Sequence, residues 1–432
     1  MMTNTVKLAY GNGFLEMKID ESRFDITTVI PKNPPALDNP RDIFLEKASS
    51  PMEAQPLFEL VARKAKSSPD VVIVIADHTR PVPDHLLIPW IVDCLGVPDN
   101  HVTILVGTGT HRPSTKTELQ RMLGRENLDR FKVLCHDCRD NSMLMHMGKS
   151  ACGGTCILNR VYCEADIKIA TGFIEPHFFA GFSGGAKAIV PGIAGLETIS
   201  YFHRSELIAH PNTTWGETAD NPLQKLTREM VSLCPPDFIV NVSLNHQKEI
   251  AGIFVGDYIE AHEEGCLNVS RESCTKVPQK FPLVITSNSG YPLDMNFYQT
   301  IKGISAASRI VEKGGSIIIA SECRQGIPEG SHFEQIMSRG ISSRKLLQEI
   351  MARKTAAYDD WQVQVLLEII QDCDVFLYSS MGPDLQEKAR VTFIEDIENK
   401  MEALRMAFGF ETMSMAALPL GPLTIPLPHH PD

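Results

Sequence analysis

The sequence predicts an α/β protein with two domains, each with a mainly parallel sheet flanked by helices. Apolar runs of strand length alternate with segments of helical period along most of the chain, a pattern typical of βαβ units. The 432 residues exceed what one ordinary hydrophobic core holds, which favours two domains. The polar segment SRESCTKVPQK separates two such alternating series and indicates the boundary. We therefore expect an N-terminal domain over 1–274, a C-terminal α/β domain over 280–410 and a Pro-rich tail over 411–432 that packs back on the N-terminal domain.

The first fifty residues alternate in polarity and predict short strands joined by turns, followed by a Pro-rich connection. Beyond Leu57 the predicted elements of the first domain are, in order, LFELVARKAKSS (helix), VVIVIA (strand), HLLIPWIVDCLG (helix), VTILVG (strand), TKTELQRML (helix), FKVLC and ADIKIA (strands), LQKLTREMVSLC (helix), FIVNVSL and EIAGIFVG (strands) and a helix over 258–269. In the second domain they are PLVITSN (strand), a helix over 298–312, GSIIIAS (strand), LLQEIMA and WQVQVLLEII (helices), DVFLYSS (strand) and a helix over 392–407.

The composition restricts the classes of partner. A net charge of −12 argues against nucleic acid and anionic membranes, because both attract basic patches. The amino terminus lacks the basic and apolar pattern of a signal peptide, and no apolar run is long enough to cross a bilayer. We expect a cytoplasmic protein.

The 11 cysteines suit a reducing compartment with mostly buried thiols. Cys135, Cys138, Cys152 and Cys156 approximate the spacing of a zinc ribbon. Against this, Cys135 ends one apolar run and Cys156 begins another, as buried strand residues do. A zinc-stabilised interaction module is therefore a minor alternative.

Three predicted strands run directly into unusual polar loops. VVIVIA leads into DHTRP, VTILVG into TGTHRP, and ADIKIA into TGFIEPH. Ligands of parallel α/β sheets bind at the carboxyl ends of strands, so Arg80, His111 and His177 gather at one edge if these strands are neighbours. Two histidines are suited to act as general acid and base, and an arginine is suited to bind a carboxylate or phosphate.

The segment from Thr171 to Ser205 follows the third strand and concentrates reactive side chains among glycines. Gly181, Gly184 and Gly185 permit a left-handed backbone or a close approach to a ligand. A lysine in such apolar surroundings, here Lys187, favours the nucleophilic amine. A glycine-rich turn with a lysine that reaches solvent is the structural alternative. Neither a Walker A loop nor a GxGxxG fingerprint is present, so a conventional ATP or NAD site is unsupported.

The second domain offers GYPLDMNFYQTIKG directly after a strand. Tyr298, Gln299 and Lys302 stand close together at a predicted helix start and could face one ligand. From spacing alone an ordinary helix start is favoured. Trp361 begins another helix and would by default be a packing residue.

Together these motifs resemble the nickel-dependent lactate racemase family. DHTRPVP, the THRPST loop, PHFFAGFSGG-x-K with a downstream histidine, and YQ-x-x-KG occur in the family's order over nearly the whole chain.

The resemblance implies a nickel-pincer nucleotide, a pyridinium mononucleotide with two thiocarboxylic acid arms, one of them joined to Lys187 as a thioamide. His203 matches the protein ligand of the nickel, and such a soft site suits Ni(II). Asp77, His78, Thr79 and Arg80 match the loop that holds the cofactor. The catalytic pair matches His111 and His177. The substrate-binding positions match Arg80, Tyr298, Gln299, Lys302 and Trp361.

The resemblance also implies a reaction and its setting. C2 of a 2-hydroxy acid is inverted by reversible hydride transfer to the cofactor through a 2-keto acid, with the two histidines exchanging the hydroxyl proton, as in an isomerase of class EC 5.1.2. The N-terminal domain then binds the cofactor, the C-terminal domain closes over the substrate, and the active site lies in the interdomain cleft. Cofactor biosynthesis proteins are the expected partners.

Two alternatives stay open within this resemblance. A small residue, Ala186, stands before the lysine where we expect a basic residue in lactate-specific members. The substrate is therefore either lactate or a larger 2-hydroxy acid such as a sugar acid. A non-catalytic protein that binds the nickel nucleotide would keep Lys187 and His203 without needing both His111 and His177.

Overall fold

A computed structural model describes residues 3–64 and 68–428 of the chain. Its strands are β1 (Thr3–Tyr10), β2 (Gly13–Asp20), β3 (Phe24–Thr28), β4 (Val71–Ala76), β5 (Val102–Gly107), β6 (Lys132–Cys135), β7 (Leu144–Lys149), β8 (Thr155–Asn159), β9 (Ile167–Phe173), β10 (Pro176–His177), β11 (Gly181–Phe182), β12 (Phe238–Leu244), β13 (Ile250–Gly256), β14 (Cys274–Val277), β15 (Phe281–Ser287), β16 (Val311–Ala320), β17 (Asp374–Tyr378), β18 (Thr392–Phe393), β19 (Met413–Leu418) and β20 (Ile425–Pro428).

The helices of the described residues are α1 (Pro40–Ser49), α2 (Glu59–Ala62), α3 (Asp84–Leu95), α4 (Lys116–Arg130), α5 (Arg160–Glu164), α6 (Leu196–Phe202), α7 (Ser205–Ile208), α8 (Pro222–Val231), α9 (Glu260–Ser273), α10 (Phe297–Ser308), α11 (His332–Met337), α12 (Ser343–Met351), α13 (Asp360–Asp372), α14 (Pro383–Ala389) and α15 (Ile397–Ala407).

The chain forms two compact units that differ from the predicted domains. A central unit comprises 33–203 and 212–272, and a terminal unit comprises the described residues of 1–32, 204–211 and 273–432. One transition falls at 272–273, close to the predicted boundary. The first 32 residues, which we grouped with the N-terminal domain, belong to the terminal unit.

The sheet of the central unit has the strand order β13-β12-β9-β4-β5-β6 and is parallel except for β13, which runs antiparallel to β12. Its middle strand VVIVIA is buried from Val71 to Ile75, as expected where helices cover both faces of a parallel sheet. Helix α3 packs in the apolar core on this sheet, although Pro89 lies inside it. The predicted mixture of parallel strands and helices is confirmed for this unit.

The sheet of the terminal unit has the order β18-β17-β16-β15-β19-β3 and is parallel throughout. Its edge strand β3 comes from the start of the chain, and the neighbouring strand β19 comes from the tail. The tail also contributes β20, which pairs in parallel with β14. The tail is therefore largely strand, and its strands pair within the terminal unit.

Some local predictions differ from the structure. Helix α1 forms after the Pro-rich connection, with Pro40 in its first turn, where we predicted no helix. The predicted helix LFELVARKAKSS is reduced to α2, which covers Glu59–Ala62, and residues 65–67 lie outside the described residues. Among the described residues, no helix is both long and apolar enough to cross a membrane.

Candidate active site

The three strands with unusual loops are neighbours in the central sheet. Strand β4 pairs in parallel with β5 on one side and with β9 on the other. The loops that carry Asp77, His111 and His177 therefore leave the same edge of the sheet, which confirms the adjacency on which the sequence argument depended. The backbone N–H of Gly109, in the second loop, donates to the carbonyl of Gly192 at 2.8 Å and so ties that loop to the segment that follows Lys187.

Asp77 and His111 form a direct pair across β4 and β5. Nδ1 of His111 lies 2.7 Å from Oδ2 of Asp77, and the other carboxylate oxygen accepts from the N–H and hydroxyl of Thr79 at 3.1 and 2.6 Å. Burial raises the pKa of the Asp77 carboxyl, but His111, Thr79 and Arg80 together outweigh burial and hold the pKa well below its usual range. Asp77 is therefore a carboxylate that holds one edge of the His111 ring.

The rest of the DHTRP loop has different neighbours. His78 contacts the start of α4, with Nδ1 at 3.1 Å from the Ser114 hydroxyl and Nε2 at 3.5 Å from Glu118, and burial lowers its pKa. Arg80 lies toward the third loop, with its Nε 3.8 Å from Oε1 of Glu175. Of the four predicted cofactor residues of this loop, Asp77, with Thr79 bonded to it, lies toward His111. His78 lies toward α4, and Arg80 lies toward β9.

His177 and Lys187 are in hydrogen-bond contact. The Nζ atom of Lys187 lies 3.0 Å from Nε2 of His177. The opposite ring nitrogen, Nδ1, accepts from the backbone N–H groups of Phe179 and Ala180 at 3.4 and 3.2 Å. Nδ1 of His177 therefore faces two backbone donors, and its Nε2 faces Lys187. Lys187 is therefore within hydrogen-bond reach of one of the two candidate catalytic histidines.

His203 lies in the same aromatic cluster. The ring of Phe179 packs edge-on against both His177 and His203, at centroid distances of 4.5 and 5.6 Å, and Lys187 lies 5.8 Å from the same ring. Burial lowers the pKa of His203 to about 3, although its Nδ1 donates to the carbonyl of Ile199 at 2.9 Å. A neutral imidazole with Nδ1–H has its lone pair on Nε2, which is the form that binds a metal.

The glycines before Lys187 adopt the left-handed backbone that the sequence suggested. Gly184 has φ 83 and Gly185 has φ 54, and a Cβ atom on Gly185 would lie 2.5 Å from the ring of His262. The N–H of Gly185 donates to Oδ1 of Asn241 at 2.7 Å. Asn241 and His262 carry no functional signal in the sequence, since both lie in ordinary strand and helix patterns far along the chain. Both residues contact the glycines that precede Lys187.

The remaining predicted site residues belong to the terminal unit. Gln299 and Lys302 lie on α10, which Asn296 caps by accepting from the Gln299 N–H at 3.1 Å. The Oε1 atom of Gln299 is buried and has no hydrogen-bond partner among the described residues. Tyr298 packs edge-on against Phe333 at 5.2 Å. The unsatisfied Gln299 oxygen is an observation that an ordinary helix start does not explain.

Trp361 is 4% exposed at the start of α13 and packs edge-on against Tyr358 at 5.9 Å. The backbone carbonyl of Tyr298 accepts from Nε2 of Gln362 at 2.6 Å, so α10 and α13 are joined at these positions. Tyr298 and Trp361 therefore lie on two helices that pack together in the terminal unit.

The four cysteines of the zinc alternative do not form a ligand set. Cys138 and Cys156 are buried, and the Cys156 thiol donates to the carbonyl of Met230, whereas Cys152 is exposed beside Glu229. Within 3–64 and 68–428, which include all four cysteines, no group of three or more His, Cys, Asp or Glu could hold a metal ion. A zinc-stabilised module therefore has no support from the structure.

The fold and the site define an α/β protein with a histidine–lysine site at the carboxyl edge of a parallel sheet. The model of the lactate racemase N-terminal domain matches residues 10–216, and that of the lactate racemase C-terminal domain matches residues 277–421. The chain belongs to the lactate racemase family.

Individual relatives agree with this assignment. The chain is 36% identical to a lactate racemase of Lactiplantibacillus plantarum over 78% of its own length and 80% of the relative's. It is 33% identical to a lactate racemase of Thermoanaerobacterium thermosaccharolyticum, with 85% of each chain covered. The structure of the lactate racemase apoprotein from T. thermosaccharolyticum superposes with a TM-score of 0.90 at 29% identity, covering 98% of this chain and 100% of that one. A Thermotoga maritima protein, at 20% identity and a TM-score of 0.65 over 86% of this chain and 96% of its own, shares the fold.

The residues present fit the nickel-pincer nucleotide that the family implies. A thioamide forms through a lysine amine, and Lys187 is a part-buried lysine in hydrogen-bond contact with His177. A nickel ligand requires a neutral imidazole, and burial keeps His203 neutral. Both groups flank the ring of Phe179. The donor set therefore agrees with a lysine-linked group whose metal binds one histidine.

Proposed function

We propose that this protein is a racemase or epimerase that inverts C2 of a 2-hydroxy acid. The proposal is carried by the contact of 3.0 Å between Lys187 Nζ and His177 Nε2, together with a second histidine, His111, on a loop at the same sheet edge, whose ring a carboxylate orients. A protein that only binds the nucleotide needs the lysine and His203, but it does not need two such histidines. Membership of the lactate racemase family supports the same reaction.

Lys187 and His203 would hold the nickel nucleotide, the first by a thioamide bond and the second as a metal ligand. When bound, this group supplies an acceptor for the hydride of C2. The residues of the chain then bind and orient the substrate and move its hydroxyl proton. Arg80, near the carboxyl ends of β4 and β9, is placed to bind a carboxylate, for which its planar guanidinium is suited. Gln299 and Lys302 match the family's substrate-binding positions, and the buried Oε1 of Gln299 is an acceptor without a partner among the described residues.

His111 and His177 handle the hydroxyl proton. His111 faces the site from the loop after β5, with Asp77 behind its ring, and His177 faces it from the loop after β9. An inversion presents the hydroxyl in two different positions before and after the reaction, so one proton-handling group is needed for each. Removing either histidine should lower the rate by roughly 10²–10⁴-fold.

The decisive experiment measures inversion by the loaded protein. The chain would be produced in a host that makes the nickel nucleotide, and its intact mass would be compared with that of Lys187→Ala. Lys225→Ala is the matched control, because Lys225 is an exposed lysine of α8 paired with Asp220. We expect the added mass on the wild type and on Lys225→Ala, but not on Lys187→Ala. The two proteins that carry the added mass should interconvert D- and L-lactate, as chiral chromatography would show.

The same preparations separate the alternatives. Added mass with no inversion of any 2-hydroxy acid would favour the non-catalytic nucleotide-binding protein. Inversion of a sugar acid in preference to lactate would assign the larger substrate. With His111→Gln and His177→Gln, we expect retained mass and lost inversion, whereas His101→Gln, at a surface ion pair with Asp70, should keep both.

A further inference from the structure

The two histidines of the site are held through Nδ1 by opposite kinds of partner. A carboxylate, which can only accept, faces Nδ1 of His111, whereas two backbone N–H groups, which can only donate, face Nδ1 of His177. We propose that the neutral rings hold opposite tautomers, with the lone pair on Nε2 of His111 and the hydrogen on Nε2 of His177. Asp77 is then a positioning residue for the base. The catalytic meaning of this inference rests on the proposed function.

The tautomer of His111 follows from the hydrogen bonds that Asp77 makes. Thr79 occupies Oδ1 of the carboxylate with two hydrogen bonds, so Oδ2 is directed to His111 at 2.7 Å. An ionised carboxylate requires a hydrogen on Nδ1 of the ring, which puts the lone pair of the neutral ring on Nε2. When Nε2 takes a proton, the carboxylate stabilises the imidazolium, as in other Asp–His pairs. His111 is thus prepared to act as a base.

The tautomer of His177 follows from the backbone of the loop that carries it. The N–H groups two and three residues further on, at Phe179 and Ala180, both point at Nδ1. The rings of Phe178 and Phe179 pack on the imidazole at 5.1 and 4.5 Å, and the side chain is buried. Protonating Nδ1 would set an N–H against two other N–H groups, which disfavours both the other tautomer and the imidazolium. His177 therefore presents an Nε2–H donor.

The opposite tautomers make the two enantiomers of the substrate meet different groups. A substrate whose hydroxyl meets His111 finds a base: the hydroxyl proton goes to Nε2, and the electron pair of the O–H bond stays on oxygen. A substrate whose hydroxyl meets His177 finds no lone pair on Nε2. For that enantiomer the ring must first leave the amides of Phe179 and Ala180.

The tautomers can be read directly by NMR of the apoprotein. Ring-¹⁵N-labelled histidine and long-range ¹H–¹⁵N spectra, recorded above the usual titration range of histidine, distinguish the nitrogen that carries the lone pair. Spectra of His111→Gln and His177→Gln assign the two rings. We expect the lone-pair signal at Nε2 of His111 and at Nδ1 of His177. The same tautomer in both rings, or averaged shifts in either, would overturn the proposal.

Three variants test what sets each tautomer. Asp77→Asn should remove the pure Nδ1–H signature of His111, because an amide can donate as well as accept. Asp84→Asn, which replaces another buried carboxylate of the same unit, should leave it unchanged. Lys187→Met should leave the Nε2–H form of His177, since the backbone sets it; a switch would show that the lysine sets it and contradict the proposal.

These spectra need no cofactor and no turnover. A loaded protein that fails to invert any substrate would therefore count against the proposed function without changing the tautomers. Conversely, an active protein in which both rings hold the same tautomer would overturn the tautomer assignment and leave the proposed function intact. If Asp77→Asn does not fold, as circular dichroism would show, the wild-type spectra still decide.

Discussion

Arg80 and Glu175 connect two of the three loops at the site. Nε of Arg80, after β4, lies 3.8 Å from Oε1 of Glu175, after β9, and both side chains are about one-fifth exposed, at 23% and 18%. A pair at this distance is a weak one, and it leaves the guanidinium fork able to bind a second anion. Glu175 therefore orients Arg80 without using up its capacity to bind a substrate carboxylate.

Replacing Arg80 with alanine should weaken substrate binding. A charge-assisted hydrogen bond contributes about 1.5–3 kcal/mol, so kcat/KM for the 2-hydroxy acid should fall roughly 10–100-fold, mostly through KM. Steady-state kinetics of the loaded protein measures this. Arg121→Ala, on the exposed side of α4, is the control that should keep wild-type values. An unchanged KM in Arg80→Ala would remove this residue from the substrate site.

His203→Ala should lose nickel while keeping the lysine-linked mass. Losing even an outer partner of a metal ligand costs roughly 10–100-fold in affinity, so losing the ligand itself should cost more. Metal analysis and intact mass on one preparation measure the two quantities separately. His136→Gln is the control, because His136 is also a buried histidine bonded to a backbone carbonyl, that of Ala194 at 2.9 Å. Equal nickel in both variants would contradict the assigned ligand.

Asp84 should make the stability of the protein fall as pH rises. Burial raises the pKa of this carboxyl to about 7, although Thr171 donates to it at 2.7 Å. Between the unfolded pKa near 4 and the folded pKa near 7, the folded state binds the extra proton, so the free energy of unfolding decreases with rising pH.

Asp84→Asn should remove this dependence. Relative to the wild type, the variant should gain on the order of 3 kcal/mol in the free energy of unfolding between pH ~4 and ~7, with the gain complete above the folded pKa. Urea denaturation across that range measures the difference. A difference between variant and wild type that does not change with pH would show that Asp84 titrates normally in the folded protein.

Gly185→Ala should destabilise the lysine segment more than backbone strain alone does. A left-handed non-glycine residue costs about 1–2 kcal/mol, and Gly185 adds a contact of 2.5 Å between the new Cβ and the ring of His262. Gly96→Ala is the matched control, because Gly96 has φ 63 with nothing within 4 Å of its Cβ position.

Thermal denaturation should therefore rank Gly185→Ala below Gly96→Ala. Attachment of the cofactor should also fall in Gly185→Ala only, since Lys187 is two residues away. Equal melting temperatures and equal attachment in the two variants would show that the segment yields to the added methyl group.

The sequence predicted the central sheet well because its signals are local. Buried strands such as VVIVIA and VTILVG are mostly apolar runs rich in β-branched residues, and the loops after them differ visibly from ordinary turns. Because the strands are parallel, those loops leave the same edge of the sheet. The terminal sheet was harder, because β3 and β19 pair across nearly the whole chain and neither carries a signal that names its partner.

The residue types also did not show which partner each side chain of the site contacts. The DHTRP loop was interpreted as one cofactor-binding unit, but Asp77 pairs with His111 while His78 lies against α4. Asn241 and His262, which support the glycines before Lys187, are ordinary members of a strand and a helix in sequence. The expected cytoplasmic location and the biosynthetic partners stay predictions.

The α/β class, the three unusual loops and the family can be predicted from the sequence, since periodicity and motifs are local properties of the chain. Which atoms meet depends on the folded chain: Nδ1 of His111 meets a carboxylate, Nδ1 of His177 meets two backbone amides, and Nε2 of His177 meets Lys187. Backbone N–H groups carry no sequence signal, and a histidine is the same letter in either tautomer. The hydrogen-bond partner, which folding supplies, decides which nitrogen is the base.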